Sequence, residues 1–273
     1  MPVAAAAALT AGAASASRTS GAAPAPISQQ AATASSKLVV SPEWSQLKNH
    51  EYVTCTPHAR IYNGAYRAIN NAWLEPRECV GSFDGLELYL RSNATQGSAV
   101  VAYPNIRIGS FYADRDPQSG YPKPVSALGP GPFLHVGCSG KTTGTWICDT
   151  DAYFHPARDT NAHGTFELVI ANRRSGTAIG KLIWVRGVPY RWRSWITCQR
   201  LANDSCDPPV KPWRIFVITR VHQFANTTIP VGSIARLAVR LGLLPRTDWL
   251  GDVAYGVELW SGGKGLHISM TSS

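Results

Sequence analysis

From residue 59 to the C-terminus the chain is a succession of short runs in which apolar and polar side chains alternate, each cut off by Gly, Pro, Asn or Asp. The runs fall at 59–72, 85–90, 99–108, 133–136, 145–154, 165–171, 181–185, 188–195, 213–221, 252–260 and 265–273. A period of two marks a strand with one buried face, because successive Cβ atoms point to opposite sides of a pleat. Strands this short, at this spacing and with turn chemistry between them, predict a β-sandwich or barrel. Nine Trp and ten Tyr against two Met suit pleated surfaces better than helical bundles. One stretch departs from the pattern. Residues 233–242 place Ile234, Leu237, Ala238 and Leu241 at helical spacing, with Ser233 placed to cap the start and Gly242 to end it. A single helix packed outside a sheet is expected there.

No internal repeat and no shift of composition follows residue 37, so residues 37–273 are expected to form one domain. Residues 1–36 are read as a signal-like and low-complexity disordered segment. Val3 to Leu9 is a short apolar run and Ala14-Ser-Ala16 a cleavage-like pattern, although the first basic residue is Arg18, and residues 17–36 are rich in Ser, Thr, Ala, Pro and Gln. Nothing after them approaches the ~18–20 apolar residues of a membrane span. The formal charge is +9, but charged residues are only 16% and no basic run occurs, so the excess is assigned to a solvated face and not to nucleic-acid binding.

Six cysteines fall in sequence-local couples: Cys55 with Cys79, Cys138 with Cys148, Cys198 with Cys206. No C-x-x-C is present, so disulfides in an oxidising compartment are the reading, and export is expected. Gly137-Cys-Ser-Gly-Lys-Thr142 has the tail of a phosphate loop but lacks its first glycine and a following helix. The histidines show no metal-ligand spacing.

Two apolar runs each carry one carboxylate, Gly164-Thr-Phe-Glu167-Leu-Val-Ile-Ala171 and Tyr255-Gly-Val-Glu258-Leu-Trp260. Alternation puts Phe166, Leu168 and Ile170 on one face and Glu167, Val169 and Ala171 on the other. It likewise separates Tyr255, Val257 and Leu259 from Gly256, Glu258 and Trp260. Each glutamate therefore faces away from the core. Were those faces to line one groove, two carboxylates and a tryptophan would look into it, which is what glycoside cleavage needs. Asp149, Asp151 and Tyr153 share a face of a third run, where an aspartate can tune a neighbouring nucleophile or serve only as an edge-strand charge.

Across about residues 50–273 these runs together resemble glycoside hydrolase family 12, retaining endo-β-1,4-glucanases and xyloglucanases. Cys55 and Cys79 bracket Ile69-Asn-Asn-Ala-Trp73. Val101-Ala-Tyr-Pro-Asn105, Thr150-Asp-Ala-Tyr-Phe154, Phe166-Glu-Leu-Val-Ile170 and Gly256-Val-Glu-Leu-Trp260, followed by a Gly-rich turn, stand in the family's order. The resemblance implies an all-β jelly-roll sandwich of two curved antiparallel sheets with one packed helix. It also implies Glu167 as nucleophile, Glu258 as general acid/base and Asp151 as the nucleophile's hydrogen-bond partner. Trp73, Asn71 and Trp260 would bind substrate, and the carboxyls of such a retaining pair would lie ~5–5.5 Å apart. Val169 and Ala171 replace the family's Met and Trp, and Leu259 its Pro. The loop from Cys198 to Cys206 looks added, and Val185 to Trp195 is more basic than a neutral glucan requires.

The resulting expectation is a secreted, monomeric hydrolase of β-1,4-glucan that needs no metal or organic cofactor. Its partner is a polysaccharide. The alternatives are a catalytically degenerate carbohydrate-binding sandwich and a related retaining glycosidase acting on xylan or another cell-wall glycan.

Overall fold

The computed structural model describes residues 38–273 apart from 76, 98, 111–118, 159–163 and 198–212. The expectations for residues 1–36 and for a Cys198–Cys206 bridge lie outside the described residues.

Two sheets face each other in a jelly-roll sandwich. In the larger, the strands run in the spatial order Val39–Val40, Arg60–Asn63, Tyr66–Ile69, Asn105–Gly109, Trp249–Leu259, Trp146–His155, Phe166–Arg174, Trp213–Arg220, Val188–Thr197 and Lys181–Val185, with Lys123–Pro124 added beside Trp249–Leu259. The smaller runs Asn226–Pro230, Phe133–Ser139, His267–Ser272, Glu87–Leu90, Val80–Ser82, Tyr52–Thr54 and Ser45–Gln46. Pairing is antiparallel except between Phe166–Arg174 and Trp213–Arg220, which run parallel. The chain between them makes the hairpin Lys181–Val185 with Val188–Thr197, and this hairpin adds two strands beyond the parallel pair.

The core lies between the sheets. Phe166, Leu168 and Ile170 from the large sheet join Leu134, Val136, Ile268 and Met270 from the small one in a single buried cluster. The Phe154 and Phe166 rings meet edge to face at 5.6 Å, a favoured aromatic geometry. The bridge Cys138–Cys148 ties the two sheets together, and Cys55–Cys79 closes the loop that carries Trp73, as the sequence led us to expect.

The helix is Val231–Arg240, two residues earlier than the periodicity suggests. Ser233 is not its cap: it sits inside the first turn, and its hydroxyl donates to the Pro130 carbonyl at 3.2 Å. Pro230 occupies the cap position, and the Val231 N–H is already held by the Pro132 carbonyl at 3.1 Å, so a side-chain cap has less to satisfy. Gly242 ends the helix at φ +70°, as expected. Ile234, Leu237 and Ala238 are buried, whereas Leu241 is exposed. Among the described residues no helix is long and apolar enough to cross a membrane.

Candidate active site

Register sorts the outer face of the large sheet into rows of side chains that cross several strands. One row runs Arg67, Arg107, Ala254, Asp151, Val169, Val217, Arg193. On one side of it lies the row Asn105, Gly256, Asp149, Ala171, Thr219, Arg191. On the other side lies Asp252, Tyr153, Glu167, Ile215, Trp195. Glu258 stands opposite Ile147, further along the same face. Isolated bridges Ala72 to Ala102 and Ala102 to Leu259 extend the pairing, and alternation through them sets Asn71 and Tyr103 beside Glu258, and Trp73 near Trp260. The face thus brings together every catalytic and substrate-binding residue expected from sequence.

Arg193 lies four strands from Glu258, roughly 19 Å in a flat sheet at ~4.8 Å per strand, yet its charge acts on Glu258. Long side chains from separated strands therefore act on one another across this face. Gly256 assists: a Cβ there would lie 2.5 Å from the Tyr103 ring and 2.7 Å from Asn105 Cβ, so only glycine lets Tyr103 lie across the strand beside Asp149.

Glu167 is only 9% exposed, and both its oxygens have donors. The Tyr153 hydroxyl reaches Oε1 at 3.0 Å, and Trp213 Nε1 reaches Oε2 at 2.9 Å. Burial raises its pKa above the usual carboxylate range, while those two hydrogen bonds and the Arg107 guanidinium pull it down. Glu258 moves further. Burial and then the charge of Glu167 push it up to about 8, against the opposing pull of Arg193 and Asp149.

Between the two glutamates lie Asp149 and Asp151, at 0% and 2% exposure. Burial first, then the charges of the neighbouring carboxyls, pushes both well above the usual aspartate range, toward the protonated form. Asp149 is close enough to Glu258 for each to affect the other's titration, although neither Asp149 oxygen is in a fully formed hydrogen bond. Four carboxyls in one enclosed patch cannot all be ionised, and they titrate as a group. Positive charge closes one end: Arg107 pairs with Asp252 at 3.1 Å. Burial raises Asp252 to about 6 against the pull of Arg107 and Arg67.

Asp151 bears on Glu167 through charge, and the donors that grip Glu167 are Tyr153 and Trp213. Neither donor carries a role in the sequence reading. Tyr153 was visible as a face-mate of Asp151. Trp213 opens a strand 46 residues after Glu167, and only the parallel pairing delivers its indole. Trp73 is 45% exposed, with its indole nitrogen donating to the Val100 carbonyl at 3.1 Å, leaving its ring open as a platform.

No protein-family model matches the chain, and no curated protein does. Solved structures do. A metagenome-derived glycoside hydrolase family 12 endoglucanase aligns with a TM-score of 0.63 over 87% of this chain and 97% of its own, at 24% identity. A family 12 xyloglucanase from Bacillus licheniformis in complex with ligand gives 0.67 over 82% and 97%, at 17% identity. The fold is that of glycoside hydrolase family 12. Endoglucanase Cel12A from Rhodothermus marinus agrees, at 0.62 over 87% and 100% with 21% identity. Identities this low speak for the family 12 backbone alone, and the side chains on it are judged by their own chemistry.

Proposed function

We propose that this chain is a secreted, single-domain endoglycosidase that hydrolyses β-1,4-glucan with retention. The observation that carries the reading is the contrast between two carboxyls on one sheet face, Glu167 buried and Glu258 half-buried. Glu167 is gripped by two donors that favour its charge, while Glu258 titrates near 8 and holds a proton at neutral pH. Glu167 attacks the anomeric carbon as Glu258 gives its proton to the departing glycosidic oxygen. Glu258, now ionised, takes a proton from water, which releases the sugar from Glu167 and restores both groups. Asp151, pushed toward its protonated form by burial and by the charge of Glu167, stands beside the nucleophile as its tuning group. Trp73 and Trp260 offer aromatic faces to sugar rings, and Asn71 a hydrogen-bonding amide. Endoglucanases and xyloglucanases on the same fold support the substrate class, and the two disulfides support export.

Reducing-end release from mixed-linkage glucan, xyloglucan, carboxymethylcellulose and xylan tests the reading, with proton NMR of the first product reporting its anomeric configuration. Activity on at least one β-glucan, a retained anomer, and a loss on the order of 10⁴-fold or more in Glu167→Gln are expected. Val169 and Ala171 favour a second reading, a groove that binds glycan without turnover. Binding with no hydrolysis of any substrate would establish that reading and sink the enzyme, and hydrolysis that survives Glu167→Gln would sink the site.

A further inference from the structure

The strand Val188–Thr197 presents Arg191, Arg193 and Trp195 to the outer face, while Tyr190 and Trp192 point to the core side. Register ties each of the three to a position near the reacting centre. Trp195 shares the row of Glu167, Arg193 the row of Val169, and Arg191 the row of Ala171. Val169 and Ala171 are the two positions where a large side chain of the resembled family has become a small one, so the rows that end in arginine have little bulk in the middle. Arg193 lies over the Trp195 ring with its guanidinium carbon 4.8 Å from the centroid, and all three side chains are exposed. Arg191 is steadied by one hydrogen bond to the Gly180 carbonyl at 2.9 Å. Among the described residues no carboxylate forms an ion pair with either arginine.

An arginine flattened on an aromatic ring keeps the edge of its fork free, and that edge matches a carboxylate bidentately. The strand therefore shows solvent one cation set against an aromatic ring beside a second one, on the same sheet face as the catalytic carboxyls. A neutral glucan offers neither cation a charged partner. We infer that Arg193 and Arg191, with Trp195 as platform, form a subsite for an acidic substituent, and that the preferred substrate is a β-glycan bearing carboxylate groups.

This rests on the hydrolase reading above, and the experiment separates the two. Values of kcat/KM are measured for cello-oligosaccharides and for their carboxymethylated counterparts of equal length, with wild type, Arg193→Gln, Arg193→Lys and Arg191→Gln. The expected result is a wild-type preference for the acidic substrate that falls about tenfold in Arg193→Gln, the loss of a charge-assisted pair. Arg193→Lys keeps the charge without the fork and recovers part of the preference. Arg191→Gln lowers it less, and 0.5 M salt shrinks the wild-type preference because both arginines are solvent-exposed. Neutral substrates hydrolysed with no acidic preference overturn this inference and leave the hydrolase standing. A drop in Arg193→Gln that is equal for both substrates also overturns it, assigning Arg193 to Glu258 alone. No hydrolysis of either substrate overturns the hydrolase reading and this inference with it.

Discussion

The strand Phe166–Arg174 is buried on both sides, but its two faces are buried for different reasons. On the inner face Phe166, Leu168 and Ile170 are at most 1% exposed and belong to the apolar core cluster, where burial itself is the stabilising term. On the outer face Glu167 is nearly as hidden, amid Asp149, Asp151 and Asp252. Burial there opposes folding, and the cost appears as carboxyls pushed toward their protonated forms. Carboxyls that hold their protons more tightly than usual are what acid/base chemistry requires. The difference between the faces, and not burial, separates the core from the site.

The sharpest break of that contrast is Glu258→Gln, which leaves the inner face intact and removes the transferable proton. Turnover should fall by about 10²–10⁴-fold, read as kcat on a natural glycoside, while the melting temperature holds or rises. Wild-type kcat/KM should follow a bell in pH, falling at high pH as Glu258 loses its proton near 8 and at low pH as Glu167 gains one. A profile without the alkaline limb would remove Glu258 from the acid role.

The converse change is Ile170→Ala on the inner face. It should cost about 2–5 kcal/mol in denaturant unfolding and leave the two limbs of the pH profile where they are. Movement of either limb would mean that the two faces are not separable.

Trp213→Phe tests the grip on Glu167. With one donor gone the carboxylate is less favoured, so the acidic limb should move to higher pH. The rate at pH 5 should drop about tenfold, as for a lost hydrogen bond to a charged group. An unmoved limb would show that Trp213 only packs.

Asp149→Asn should act on stability. The folded-state pKa of Asp149 is raised, so its contribution is fully present below the ordinary carboxylate range and is lost as pH rises through the raised value. The asparagine mimics the protonated form at every pH. Its melting temperature should therefore gain on wild type from pH 5 to pH 9, by about 2–4 °C per kcal/mol recovered. A gain that does not change with pH would argue against a buried, titrating Asp149.

Alternation alone was enough to tell the faces of Glu167 and Glu258 apart, because the period of two is a property of the pleat and needs no partner strand. The same reasoning misplaced the start of the helix. Ser233 has the chemistry of a cap, but the Pro132 carbonyl, about a hundred residues away, already holds the Val231 N–H. It also passed over Trp213 and gave Asp151 a hydrogen bond that belongs to Tyr153 and Trp213, since which donor reaches an oxygen depends on neighbouring strands. Arg193 stood out in sequence only as surplus charge.

The sequence by itself determined the sandwich and the two inter-element disulfides and singled out the two glutamates, through local periodicity, cysteine spacing and a run of motifs in order. Only the tertiary structure decided how those glutamates differ. Strand order and register bring Tyr153, Trp213, Asp149 and Arg193 to bear on them from three further strands, and a pKa is set by neighbours in space, whose distances no one-dimensional pattern encodes.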